Sequence, residues 1–224
     1  LTPVQYADKY ADDMRARLAA RIYSIYEKKM KINNAMDFDD LIMKTALLFM
    51  NSPEVLEKYR EKYRHILIDE YQDINHSQYT LISLLAQKYR NICVVGDDDQ
   101  SIYSFRGACV DNIMDFKEDY PEAVVIKLEK NYRSKASILC LANSVIRNNR
   151  YRMEKELVPT RGDGDEISLL CCEKPRIEAY KICRSMLYLR DYGYEYRDMA
   201  VLYRTNAQSR ELEEALRDYD IEYK

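Results

Sequence analysis

The chain has 224 residues, 47% hydrophobic and 33% charged, with a formal net charge of −3. That supports one large domain or two small ones and excludes a disordered tail. The weak acidic balance excludes a broad basic field for nucleic acid, so binding of that kind must rest on stacking in a local groove.

No run of 18 apolar residues is present, which predicts no membrane span, and no basic-then-apolar leader is visible. The six cysteines (Cys93, Cys109, Cys140, Cys171, Cys172 and Cys183) form no C-x-x-C pair, and the histidines are His65 and His76 alone. Buried reduced thiols in a cytoplasmic protein are therefore expected, not a zinc site.

Residues 4–34 have helical spacing, with Tyr6, Tyr10, Met14, Leu18, Ile22 and Ile25 three or four positions apart. Asp37 precedes FDDLIMKTALLFM, a second helix with an acidic first turn. Pro53 opens a third, to about Lys62. HILID is then a short apolar strand, 76–88 a helix, and ICVVG (92–96) a strand closed by glycine. Residues 110–119 read as helix, 123–128 as strand, 135–148 as helix, 166–172 as strand, 175–192 as helix, 199–204 as strand and 206–219 as helix. This alternation predicts α/β layers around a mostly parallel sheet, after a helical N-terminal segment. The polar stretch 148–165 is the best internal linker or boundary.

Three strand ends carry polar clusters, the place where open α/β sheets collect ligands. In LIDEYQD, Asp69 and Glu70 point to different sides and can divide the work, one holding a hard divalent cation and the other taking a proton from water. In VVGDDDQSIYSFRGA, Gly96 permits a tight turn, and Gln100 can donate to a phosphate oxygen while accepting from water. Tyr103, Phe105 and Arg106 follow, a mixture suited to base stacking beside a phosphate. In LEKNYRSKAS, Tyr132 can stack on a purine and Arg133 can reach a phosphate. Each cluster alone also reads as an acidic turn, a core aromatic group or a surface turn.

Together, each after a strand, the clusters resemble those of the superfamily-one DNA helicases of the UvrD/PcrA/Rep type. DEYQD is similar to their Walker B motif, GDDDQSIYSFRGA to the motif that couples nucleotide to DNA, and NYRS to the start of their second RecA-like domain. AVLYRTNAQSRELEEAL (200–216) and AMDFDDLI (35–42) are similar to further stretches. The resemblance is weaker in 1–30 and 148–198. It implies RecA-like parallel-sheet layers, with 1–36 the end of an inserted helical domain, 37–130 the C-terminal half of a first RecA-like ATPase domain, and 131–224 the N-terminal part of a second.

The resemblance also implies roles. Asp69 would bind Mg²⁺ and Glu70 would activate the hydrolytic water. Gln100 would contact the γ-phosphate of ATP. Tyr103 and Phe105 would stack on single-stranded DNA, with Phe105 standing where relatives often have Trp, and Arg106 would link the DNA and nucleotide sites. Tyr132 would stack on adenine, Arg133 would act as an arginine finger, and Asn206 would touch DNA. The implied activity is ATP-dependent 3′ to 5′ translocation on single-stranded and duplex DNA.

The phosphate cradle G-x-x-x-x-G-K-[ST] does not occur among these residues: none of the glycines (Gly96, Gly107, Gly162, Gly164, Gly193) precedes a lysine. The chain opens on Leu1 and closes on DIEYK, where an apolar strand begins, so an internal fragment is expected, inactive by itself. Three rival readings stand beside this one. They are the helicase subunit of a recombination helicase-nuclease, a DNA-binding module that has lost catalysis, and a metal-dependent phosphohydrolase built on Asp69, Glu70 and Asp73.

Overall fold

A computed structural model describes residues 2–224. The chain forms two compact units. The first comprises residues up to Asn131 together with Leu141–Val158, and the second Tyr132–Cys140 and Pro159–Lys224.

The first unit opens with α1 (Pro3–Lys9) and α2 (Met14–Ile32). One continuous helix was expected here. The chain instead breaks at Tyr10–Asp13, because Asp13 caps a fresh N-terminus by accepting the Arg15 N–H at 2.8 Å. The expected inward stripe of α2 also faces the other way: Met14, Leu18, Ile22 and Ile25 are exposed, while Ala16 and Ala20 are buried. Their small side chains let the backbone approach its neighbour closely.

A capping box starts α3 (Phe38–Asn51): Asp37 accepts the Asp40 N–H at 2.8 Å, and Asp40 accepts the Asp37 N–H at 3.4 Å. Buried Asp40 also pairs with Lys44 at 2.6 Å. Phe49 of α3 and Leu56 of α4 (Pro53–Lys62) are buried, each contributing about 1.5–3 kcal/mol.

The sheet that positions the site is small. Strand β1 (Ile66–Ile68) pairs in parallel with β2 (Ile92–Val94), in the register Ile66 to Ile92, Leu67 to Cys93 and Ile68 to Val94. Parallel strands need a crossover, supplied by α5 (His76–Ala86), which Asn75 and Gln78 cap reciprocally. Beneath this pair Tyr71, Ile74 and Ile113 form a core with Ile68, Val94 and Phe116 packed against it. Ile113 lies on α6 (Asp111–Met114) and Phe116 on α7 (Phe116–Asp119). Further on are β3 (Lys130–Asn131), α8 (Ala136–Ile146) and β4 (Val158–Pro159).

The second unit is centred on α9 (Pro175–Asp191) and α10 (Ser209–Asp218). Ala179, Cys183, Ala215, Leu216 and Ile221 form its buried cluster. Of the cysteines only Cys183 is buried, against the expectation for all six, and burial pushes its thiol pKa up. Cys93, Cys140 and Cys171 are exposed.

Mixed helix and parallel sheet with a helical N-terminal part is the class expected of RecA-like helicase domains. The strands expected at 123–128, 166–172 and 199–204 belong to no ladder among the described residues. A strand is held by its partners, not by its own composition. Val124, Ile126 and Leu128 accordingly stand exposed. No described helix is long and apolar enough to cross a membrane.

Candidate functional site

Strand β1 runs into Asp69 and Glu70, and the backbone turns sharply there. Glu70 lies in the left-handed region, φ 51° and ψ 43°, which costs a non-glycine residue about 1–2 kcal/mol. Strain of this kind persists only where its surroundings hold it, typically at functional sites. The Asp69 carboxylate accepts the Glu70 N–H at 3.0 Å. Both acids are exposed, and among the described residues neither belongs to an ion pair. Asp73 follows in the same turn. Its Oδ1 is buried without a hydrogen-bond partner, and burial, helped by the charge of Glu70, pushes its pKa up.

Strand β2 ends at the neighbouring loop. Gly96 was expected to allow a tight turn, but its φ is not positive and its role is close approach. A Cβ there would lie 2.7 Å from Gln72 Oε1 and 2.8 Å from Ile113 Cδ1. Gln72 is buried and bridges the two strand ends. Its Nε2 donates to Glu70 Oε2 at 2.7 Å, and its Oε1 accepts the Asp97 N–H at 2.9 Å. Asp97 Oδ2 in turn accepts from Gln100 Nε2 at 2.7 Å. Glu70 and Gln100 are thus joined by one hydrogen-bonded chain.

Asp97, Asp98 and Asp99 crowd three negative charges into this loop, and Arg152 and Lys155 offset two of them. Arg152 forks onto Asp99, with Nε–Oδ1 at 2.9 Å and Nη2–Oδ2 at 2.7 Å. Lys155 reaches Asp97 at 2.7 Å and Asp99 at 3.2 Å, and also pairs with Asp98. Asp98 additionally accepts the Met153 N–H at 2.8 Å. Burial pushes the Asp99 pKa up, but Arg152 and Lys155 outweigh it and hold it below the usual carboxylate range. Burial likewise disfavours charged Lys155, yet Asp97 and Asp98 raise its pKa above the ordinary lysine value. The segment read as a linker is therefore, through 152–155, a packed part of the first unit.

Beyond Gln100, a short turn at Ser104–Arg106 presents the aromatics. Phe105 is 76% exposed and Tyr103 half-buried, their ring centroids 6.0 Å apart. The Arg106 guanidinium lies 4.9 Å from the Tyr103 ring centre and 5.4 Å from that of Phe105. Gly107 closes the turn at φ 85°, a conformation glycine adopts without penalty.

The first unit thus brings together Asp69, Glu70 and Gln100, with Tyr103, Phe105 and Arg106 further along the same loop. Tyr132, Arg133 and Asn206 belong to the second unit. Tyr132 is 72% exposed, the Arg133 carbonyl accepts from Arg161 Nη1 at 2.8 Å, and exposed Asn206 opens a one-turn helix before α10.

Sequence reasoning missed Gln72, Arg152 and Lys155. The signal for Gln72 was a neutral amide beside two carboxylates, able to donate and accept at once. For the cations it was the triple aspartate itself, which cannot be buried without positive partners.

The donor set fits Mg²⁺. No group of three or more candidate ligands occurs among the described residues, and Mg²⁺ is ordinarily held by one or two carboxylates plus substrate phosphates and water. Asp69, exposed and with one oxygen uncommitted, suits that arrangement.

Residues 1–121 match the UvrD/REP helicase N-terminal domain, and residues 126–224 match the UvrD-like helicase C-terminal domain. The chain belongs to the UvrD/Rep helicase family. It is 49% identical over 217 residues, 97% of its length, to the ATP-dependent DNA helicase PcrA of Staphylococcus aureus strains Mu50 and NCTC 8325. It is 48% identical over the same length to that of Staphylococcus epidermidis strain RP62A. The chain spans 30% of the length of these relatives.

Proposed function

We propose that the chain is part of an ATP-dependent DNA helicase that moves 3′ to 5′ on single-stranded DNA, in the cytoplasm. The observation that carries this reading is the joining of Glu70 and Gln100 across the ends of two paired parallel strands. In this reading 1–36 ends an inserted helical domain, 37–130 is the later half of one RecA-like domain and 131–224 the start of another.

Asp69 would hold Mg²⁺, which when bound neutralises charge on the phosphates. Glu70, in its strained turn, accepts the proton of the attacking water as the water oxygen bonds to the terminal phosphorus and the bond to the diphosphate breaks. Gln100 donates to the terminal phosphate. Tyr132 stacks on the adenine, and Arg133 offsets charge that develops in the transition state. Tyr103 and Phe105 stack on DNA bases. Arg106, against both rings, carries the state of the DNA toward the nucleotide loop, and Asn206 adds a DNA contact.

The experiment is ATP hydrolysis with and without single-stranded DNA. It compares the 224-residue chain with the intact protein, meaning the full-length protein that contains it. The intact protein is expected to hydrolyse ATP under DNA stimulation and to unwind a duplex, and the chain alone to do neither. Hydrolysis by the chain alone, or none by the intact protein, overturns the reading.

A further inference from the structure

Gln72 is 1% exposed, and both ends of its amide are used. A buried amide must be fully paired, since an unmatched polar group costs its desolvation. Here the pairing fixes one orientation. Turned over, the NH₂ would face the Asp97 N–H and the carbonyl would face the Glu70 carboxylate, both repulsive. Gly96 enforces the fit, because any Cβ would displace Oε1. The Gln72 main-chain carbonyl also accepts from Ser101 Oγ at 3.4 Å. Both margins of the Asp97–Gln100 turn are therefore referred to one residue, and that residue holds Glu70.

We infer that Gln72 is a positioning residue: it ties the aim of the Glu70 carboxylate to the position of Gln100, so the base is aligned only when the Asp97–Gln100 turn is seated. The inference rests on the helicase reading. It assigns Gln72 no contact with substrate. Its amide transmits position through Asp97, whose carboxylate holds the Gln100 side chain.

The test uses the intact protein with Gln72→Met, which keeps volume and loses both bonds. It also uses Gln72→Glu, which keeps an acceptor for Asp97 but sets a carboxylate against Glu70. Both are expected to lower kcat about 10²-fold, as a misplacement of about 1 Å does, with the KM for ATP unchanged. Combined with Gln100→Ala, the loss from Gln72→Met should be much less than multiplicative. A merely structural glutamine would instead lower the unfolding midpoint and leave kcat per folded molecule as it was, and that result overturns the inference. If Gln72→Met does not fold, Gln72→Glu decides by the same criterion. A wild-type protein without ATP turnover fails the helicase reading itself, whereas turnover indifferent to Gln72 fails only this inference.

Discussion

Two acidic clusters close the paired strands β1 and β2. Asp97–Asp99, after β2, is enclosed by Arg152 and Lys155, and the side chains of Asp98 and Asp99 are 3% and 9% exposed. Asp69 and Glu70, after β1, are exposed and outside any ion pair among the described residues, with Glu70 held in a strained backbone. Buried carboxylates require partners, and Asp97–Asp99 has them. Exposed carboxylates lose little by standing alone in water, but backbone strain at Glu70 does not arise for solubility. The contrast separates acids that hold the structure together from acids that, in the proposed reading, stay accessible to a nucleotide and its cation.

Replacing Arg133 is expected to have the largest effect. Arg133→Ala in the intact protein should lower kcat for ATP by about 10³–10⁵-fold, the range of a lost arginine finger. Single-turnover hydrolysis would measure this, and an unchanged rate would remove Arg133 from the chemistry of the open cluster.

On the enclosed side, Arg152→Met takes the forked partner from Asp99 and leaves it Lys155 at 3.2 Å. It should destabilise the chain more than the loss of an exposed ion pair does. Urea unfolding of the 224-residue chain reads this directly. A loss no greater than that of Arg147→Met, whose pairing with Glu156 is exposed, would show that the enclosure contributes nothing special.

Phe105→Ala should weaken single-stranded DNA binding by about 1–3 kcal/mol, the range of one base–aromatic stacking contact. Fluorescence anisotropy at fixed salt would show it. Affinity unchanged by the substitution would take this ring out of the DNA contact.

The smallest effect is with pH. The Asp99 pKa is lowered on folding, so its contribution is present above the unfolded carboxylate value of about 3.9 and is lost as pH falls through the folded value. The Lys155 pKa is raised, so its contribution is complete below about 10.4 and is lost as pH rises through the folded value. Stability should therefore fall at both limits, and Asp99→Asn should flatten the acid limb. An acid limb unaltered by that substitution would place the titration elsewhere.

Much of this was legible in the sequence because it is local. The helix start after Asp37, the β1–α5–β2 order and the clusters at strand ends are set by residues a few positions apart. What was not legible depends on distance. Arg152 meets Asp99 across 53 positions, and no spacing rule announces that partnership. The segments at 123–128, 166–172 and 199–204 carry β composition, but a ladder is a property of two strands. The outward face of α2 was misread because periodicity marks a stripe without saying which side a neighbour takes. Gln72 was read past inside DEYQD, since an amide beside carboxylates draws no notice until its two partners are seen.

The most direct measurement pairs one acid from each cluster. Glu70→Gln and Asp99→Asn, each made in the intact protein, are compared for DNA-stimulated ATP hydrolysis and for unfolding free energy. Glu70→Gln is predicted to abolish hydrolysis at unchanged stability, and Asp99→Asn to lose stability while its folded fraction still hydrolyses ATP. Sustained hydrolysis by Glu70→Gln, or a loss of stability confined to that variant, would contradict the division between the two clusters.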